Sequence, residues 1–360
     1  MNRKLALYRH EMRTMIWFFL GGLAAALFFC FVLNESLKSR FVPFFDETSQ
    51  GIMMNTSSES FTSLLSYCIE AASIVGIFGL VIMSIIQFGD MHKRKSQEYL
   101  HSLPFTKGER FAAKVVIGYA ALTFTVLVAF VGTLMIRSRY IGIIQKNALL
   151  SSYYKVLLGN DTLWHAVSML LVMWLSLCAV YAIMVFVHAV VNRSILAGVI
   201  AFGITMAPLW IFAVVEMLLV EAGRGDLVES WMKYLHYFGV LAGQANTKID
   251  YLGDMGAILY HDNFWVLTAI CAVIIILCIS FAVITVRRSD LSRGGMFVEK
   301  RPARIFLSAG IGICFGAGAG VLANYWFFNE IKFIPYFVIS GIAAVLLYVL
   351  CAKVFRKMFG

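Results

Sequence analysis

A chain of 360 residues that is 61% hydrophobic and 14% charged, with a mean hydropathy of +0.82, is not a soluble globular protein, in which about a quarter of the residues carry charge. Its apolar surplus belongs in lipid, and at roughly 20 residues per crossing the length holds about eight to ten spans. Backbone groups in lipid must pair within the segment, and no alternating ten-residue strand pattern runs through the chain, so the spans are helices. The net charge of +10 suits an anionic membrane surface and needs no nucleic acid partner.

In chain order, residues 1–14 form a basic arm in which Leu5, Tyr8, Met12, Met15 and Ile16 recur at helical spacing, with Arg3, Lys4, His10 and Arg13 on other faces. This pattern predicts an amphipathic interfacial helix along the inner leaflet, bending into the first span. The first apolar run, 15–33, is too long for a secretory signal and lacks its small-residue cleavage site, so it is expected to be a retained helix. A second span is predicted at 64–88, then a polar island at 92–110, then spans at 111–136, 163–191 and 195–219. The fifth span contains Pro208, which removes a helix hydrogen bond and makes either a hinge or a fixed kink. The connection 221–262 holds Trp231, Tyr234, Leu235, Tyr237 and Phe238; it is expected to re-enter the outer interface as short helices. A sixth span at 264–286 is followed by a basic loop, 287–304, and by a hairpin of spans at 305–325 and 334–354. In the former, Gly312, Gly316 and Gly320 stand four apart, a pattern that lets another helix approach closely.

Eight spans put both termini on one side. Of the 30 Lys and Arg, 20 fall in the termini and in the connections on that side, which places the termini and the polar island in the cytoplasm and the chain in a cytoplasmic membrane.

Chemical motifs are scarce. There is no phosphate-cradling loop, no His-Glu-x-x-His, no Cys-x-x-Cys and no nucleophile elbow, so neither a catalytic residue nor a metal ligand is expected. The seven cysteines sit in or beside apolar runs as small hydrophobes. Two acids, Glu70 in the second span and Glu216 in the fifth, are unusual in apolar helices. Both are near outer ends, where they are either solvated by interfacial water or line a cavity.

The polar island reads Lys95-Ser-Gln-Glu-Tyr-Leu-His-Ser-Leu-Pro-Phe-Thr-Lys-Gly-Glu-Arg-Phe-Ala-Ala-Lys114. It resembles the coupling helix of the type-2 exporter permeases of the ATP-binding-cassette family, in which Glu-x-Leu-x-Ser-Leu-Pro is followed by a basic residue, Gly-Glu and a Lys opening the third span. The amphipathic arm resembles that family's connecting helix, and the 221–262 segment its re-entrant outer loop. Arg287-Arg-Ser-Asp-Leu-Ser-Arg-Gly-Gly-Met-Phe297 is similar to a segment of family members with an extra hairpin, with Asp290 where Glu is usual. The resemblance implies one transmembrane domain over 1–360: a connecting helix at 1–14, a six-helix core at 15–286, and a loop plus hairpin at 287–360.

It further implies a separate nucleotide-binding ATPase subunit in two copies, carrying ATP and Mg, and a second permease chain, identical or paralogous. No cofactor is expected in this chain itself. Glu98, Tyr99, Leu100, His101, Ser102, Leu103, Pro104, Phe105, Lys107, Glu109 and Arg110 would dock the ATPase. Glu70, Pro208 and Glu216 would flank the path of an amphipathic cargo such as a peptide, lipid or drug; antimicrobial-peptide export is one such activity. A membrane-embedded lipid-modifying enzyme would need convergent acids, His or metal ligands. An energy-independent secondary transporter would show inverted repeats and broken helices. Neither pattern is found in the sequence.

Overall fold

The computed structural model describes residues 3–41, 44–46, 51–53, 61–92, 105–146, 162–191, 193–221, 223–224, 247–251, 257–261, 264–288, 301–328 and 333–359. The described residues include eight long helices: α1 (Arg3–Phe41), α2 (Phe61–Gly89), α3 (Lys107–Lys146), α4 (Leu163–Val190), α5 (Ser194–Glu221), α6 (Phe264–Arg288), α7 (Arg301–Phe328) and α8 (Phe333–Phe359). Seven of them are long and apolar enough to cross a membrane, as expected of a multi-pass membrane protein. The predicted span at 305–325 lies in α7, whose apolar stretch Ser308–Asn324 is shorter than the other seven.

Among the described residues, two connections carry antiparallel hairpins. Strands β1 (Phe44–Asp46) and β2 (Gly51–Met53) pair Phe44 with Met53, and β3 (Thr247–Tyr251) and β4 (Ala257–His261) pair Thr247 with His261. The second hairpin corrects the expectation of short helices over that part of 221–262. Thr, Ile and Tyr favour extended backbone, and the intervening Gly253-Asp254 and Gly256 favour a turn.

The chain divides into two units. The first comprises Met1–Gly79, Ala113–Ala179 and Val240–Val273. Within it α1 and α3 run parallel, matched from base to top. Phe19 meets Phe124 with ring centroids 5.8 Å apart, Cys30 Sγ approaches the carbonyl of Ala129, and Tyr140 Oη donates to the carbonyl of Asn34 at 3.1 Å. The first part of α4 lies antiparallel to α3: Tyr119 Oη donates to the Cys178 carbonyl at 3.3 Å and Trp174 Nε1 to Thr123 Oγ1 at 3.2 Å. Trp164 and Phe264 stack edge to face, centroids 5.4 Å apart, joining the starts of α4 and α6. The arm and the first span are one uninterrupted helix. The arm buries Leu7, Glu11 and Met15, whereas Leu5, Met12 and Ile16 of the predicted amphipathic stripe are exposed.

The second unit comprises Leu80–Ala112, Val180–Gly239 and Ile274–Gly360. Helices α7 and α8 pack as an antiparallel hairpin along the predicted glycine face: Gly312 lies against Ala344 and Tyr348, Gly316 against Ala344, and Gly320 against Ser340 and Tyr336. Helix α5 docks on this hairpin through a stripe at four-residue spacing, Trp210, Val214 and Leu218, with Met217 beside it; these meet Ala317, Gly318, Val321 and Tyr336. Its end is a double-bonded cap: Gly223, at φ 67°, donates its N–H to the Val220 carbonyl and Arg224 donates to the Leu219 carbonyl. Only glycine adopts that left-handed conformation at no steric cost, which fixes where α5 stops.

Candidate functional site

The polar island enters the structure from both sides. Residues 93–104 lie outside the described residues, and with them Glu98, Tyr99, Leu100, His101, Ser102, Leu103 and Pro104. The second span closes with a 3-10 turn at Asp90–His92. From Phe105 onward the island is described, and Phe105, Lys107, Glu109 and Arg110 are half-buried. Thr106 and Glu109 form a reciprocal cap at the head of α3. Thr106 N–H and Oγ1 donate to Glu109 Oε2 at 3.0 and 3.1 Å, and Glu109 N–H donates to Thr106 Oγ1 at 3.2 Å. Thr-x-x-Glu is the sequence form of this capping box: within the chain Glu109 accepts from the N-cap Thr106, whose hydroxyl in turn satisfies one first-turn donor of α3.

In the second unit the two ends of the island are clasped together. Phe88, just before it, and Phe111, just after it, are both buried, with ring centroids 5.9 Å apart. The His188 ring also packs near Phe88, 5.2 Å between centroids, and its Nδ1 is 2.8 Å from the Met184 carbonyl. One residue before Phe88, Gln87 accepts a hydrogen bond from Tyr181 Oη at 2.7 Å. Ser194, the first residue of α5, donates its hydroxyl to the Ile85 carbonyl. Gln87, Tyr181 and His188 are all buried. Buried polar groups of this kind hold one arrangement, because any shift that breaks a bond leaves a desolvated group behind.

In the first unit, Lys114 of α3 forms an ion pair with Glu11 of the arm: Nζ to Oε2 is 2.9 Å, and the side chains are 5% and 7% exposed. Removing one partner of such a pair costs about 3–5 kcal/mol, because the other charge is left buried without compensation.

The expected path residues divide between the units. Glu70 is half-buried on α2 in the first unit, flanked by exposed Tyr67 and Ile74. Pro208 and Glu216 belong to α5 in the second unit; at about 100° per residue they lie on the side of the helix away from the Trp210, Val214 and Leu218 stripe. Among the described residues no three His, Cys, Asp or Glu side chains converge as metal ligands, and all seven cysteines are free thiols.

Sequence reasoning missed Glu11, although Leu7, Glu11 and Met15 at four-residue spacing mark a second face of the arm. It also missed the capping box in Thr106-Lys-Gly-Glu109. The Phe88, Phe111 and His188 cluster has no local signal, since its members come from three helices. The chain matches no family model, no curated protein and no solved structure.

Proposed function

We propose that the chain is the permease subunit of an ATP-driven exporter, with eight spans, both termini in the cytoplasm, and the polar island as the cytoplasmic docking element for a separate ATPase. The observation that carries this reading is the Phe88 to Phe111 clasp. Buried rings pin the end of α2 to the start of α3, so the two ends of the island are held together. The Thr106 to Glu109 cap sets the point where α3 begins. A push delivered at this clasp reaches both α2 and α3.

In this reading Tyr99, Leu100, Leu103 and Phe105 fill an apolar groove of the ATPase, and Lys93, Arg94, Lys107 and Arg110 ring it. ATP and Mg are held by that partner. Two permease chains, identical or paralogous, carry two ATPases. The cargo is amphipathic, in keeping with many aromatic residues and few intramembrane charges. Glu70, Pro208 and Glu216 are the residues assigned to its path.

The test is a pull-down in gentle detergent of the tagged chain expressed with its neighbouring genes, beside a variant with Tyr99, Leu100 and Leu103 changed to Ala. Recovery of a nucleotide-binding subunit with the wild type, lost or no longer stimulated in the variant, supports the reading. Recovery of no ATPase with the wild type overturns it.

A further inference from the structure

The Glu11 to Lys114 pair is poorly explained as simple adhesive. Two charges withdrawn from water gain little over a pair of apolar side chains of the same size, and well-packed replacements are often as stable or more so. What a buried pair does supply is register. Along α1 the neighbours of Glu11 on the same face are Leu7 and Met15, both buried and both apolar. A slide of α1 by one turn along α3 would therefore set Lys114 against a hydrocarbon side chain and part the two charges. Higher on the same two helices the close approaches of Gly22 to Thr125 and of Gly132 to Cys30, with the Tyr140 to Asn34 hydrogen bond, hold the same register, and the ion pair fixes it at the base.

Position gives this register a use. Lys114 stands two turns beyond the Thr106 cap that opens α3. Glu11 lies in the part of α1 that precedes its apolar run. At 39 and 40 residues, α1 and α3 are each about 60 Å long, roughly twice a hydrocarbon core about 30 Å thick, so their paired bases extend beyond the lipid tails. The face of the arm turned away from α3 presents Leu5, Met12 and Ile16, with exposed Arg9 and Arg13 along one side.

We propose that Glu11 and Lys114 are positioning residues that lock the N-terminal arm to α3 in a single register, so that the arm moves with the helix into which the docking island feeds. The locking stands on the geometry alone; its role in transmission rests on the exporter reading above.

The experiment compares wild type, Glu11→Gln, the charge swap Glu11→Lys/Lys114→Glu, and the apolar double variant Glu11→Leu/Lys114→Met. All are full-length and in lipid nanodiscs, with whatever ATPase subunit co-purifies. Amide hydrogen exchange over 5–15 and 106–115, thermal unfolding and the ATP hydrolysis rate of the complex are read in parallel. Glu11→Gln is expected to speed exchange in both segments together by about tenfold or more, since loss of the carboxylate charge weakens the pair. It should lower hydrolysis while the ATPase is still retained, and the swap should restore both.

The apolar double variant separates positioning from packing. It should recover the unfolding temperature of the wild type without recovering the hydrolysis rate. Recovery of both, or unchanged exchange in Glu11→Gln, overturns the proposal. If no ATPase is retained by the wild type, the exporter reading falls, and exchange alone decides whether the arm is locked.

Discussion

The indole Nε1–H of Trp210 donates to the main-chain carbonyl of Cys314 at 2.9 Å, and the same ring lies over Gly318, one turn further along α7. A helix carbonyl inside an apolar span gains a second donor there, and the indole proton is satisfied without water. The bond lies two residues after Pro208, where α5 has lost one of its own backbone donors. The α7–α8 hairpin is thereby a fixed neighbour of α5, and α5 keeps the side bearing Pro208 and Glu216 for other uses.

Gly318→Ala should loosen this contact. A Cβ there would stand 2.9 Å from the Trp210 ring, while at Gly310 on the same helix nothing lies within 4 Å. The expected cost is about 1–3 kcal/mol for Gly318→Ala, with Gly310→Ala neutral or slightly stabilising through helix propensity. Thermal unfolding in detergent followed by tryptophan fluorescence reads both. Equal midpoints for the two variants would sink the idea.

Gly316→Val should be worse, because the obstacle is main chain. Its Cβ would lie 2.8 Å from Ala344 Cα and N, which no rotamer change relieves. Separation of α7 and α8 is expected, seen as new protease cleavage in the hairpin, whereas Gly341→Val, facing open space, should leave the digestion pattern of the wild type.

The polar floor beneath the island is testable by a double-mutant cycle on Tyr181 and Gln87. Tyr181→Phe leaves the Gln87 carbonyl oxygen without the donor seen at 2.7 Å and should cost about 1–3 kcal/mol. In the cycle with Gln87→Leu the double variant should lose less than the sum of the two single variants. Additive losses would show that the two side chains act independently.

Thr106→Ala should fray the head of α3 at a cost of about 1 kcal/mol, and Thr106→Asp should recover most of it. Hydrogen exchange of the amides at 107–110 measures the effect. Unchanged exchange in Thr106→Ala would mean that the cap seen between Thr106 and Glu109 contributes nothing.

The spans were legible because lipid leaves the backbone few choices: the predicted 163–191 and 264–286 differ from α4 and α6 by one or two residues. The glycine face of α7 was legible for the same reason, since Gly312, Gly316 and Gly320 have no other evident use in an apolar helix. Contacts between helices were not. Glu11 read as one more charge on a basic arm, because its partner is 103 residues away and nothing local distinguishes a carboxylate awaiting a lysine from one facing water. Phe88 and Phe111 read as the ordinary edges of two apolar runs. The β3–β4 hairpin was obscured by the aromatic residues upstream of it, which suggested re-entrant helices.

Parallel pairing of α1 with α3 also sets an order of assembly during synthesis. Two parallel neighbours cannot be joined by a tight turn, so α2 must return across the bilayer before α3 can align with α1. At roughly 5–20 residues per second, the 103 residues between Glu11 and Lys114 take about 5–20 s to make. Through that interval Glu11 lacks the buried partner it has in the folded chain. The Glu11 to Lys114 pair can thus close only after the first two helices have been made.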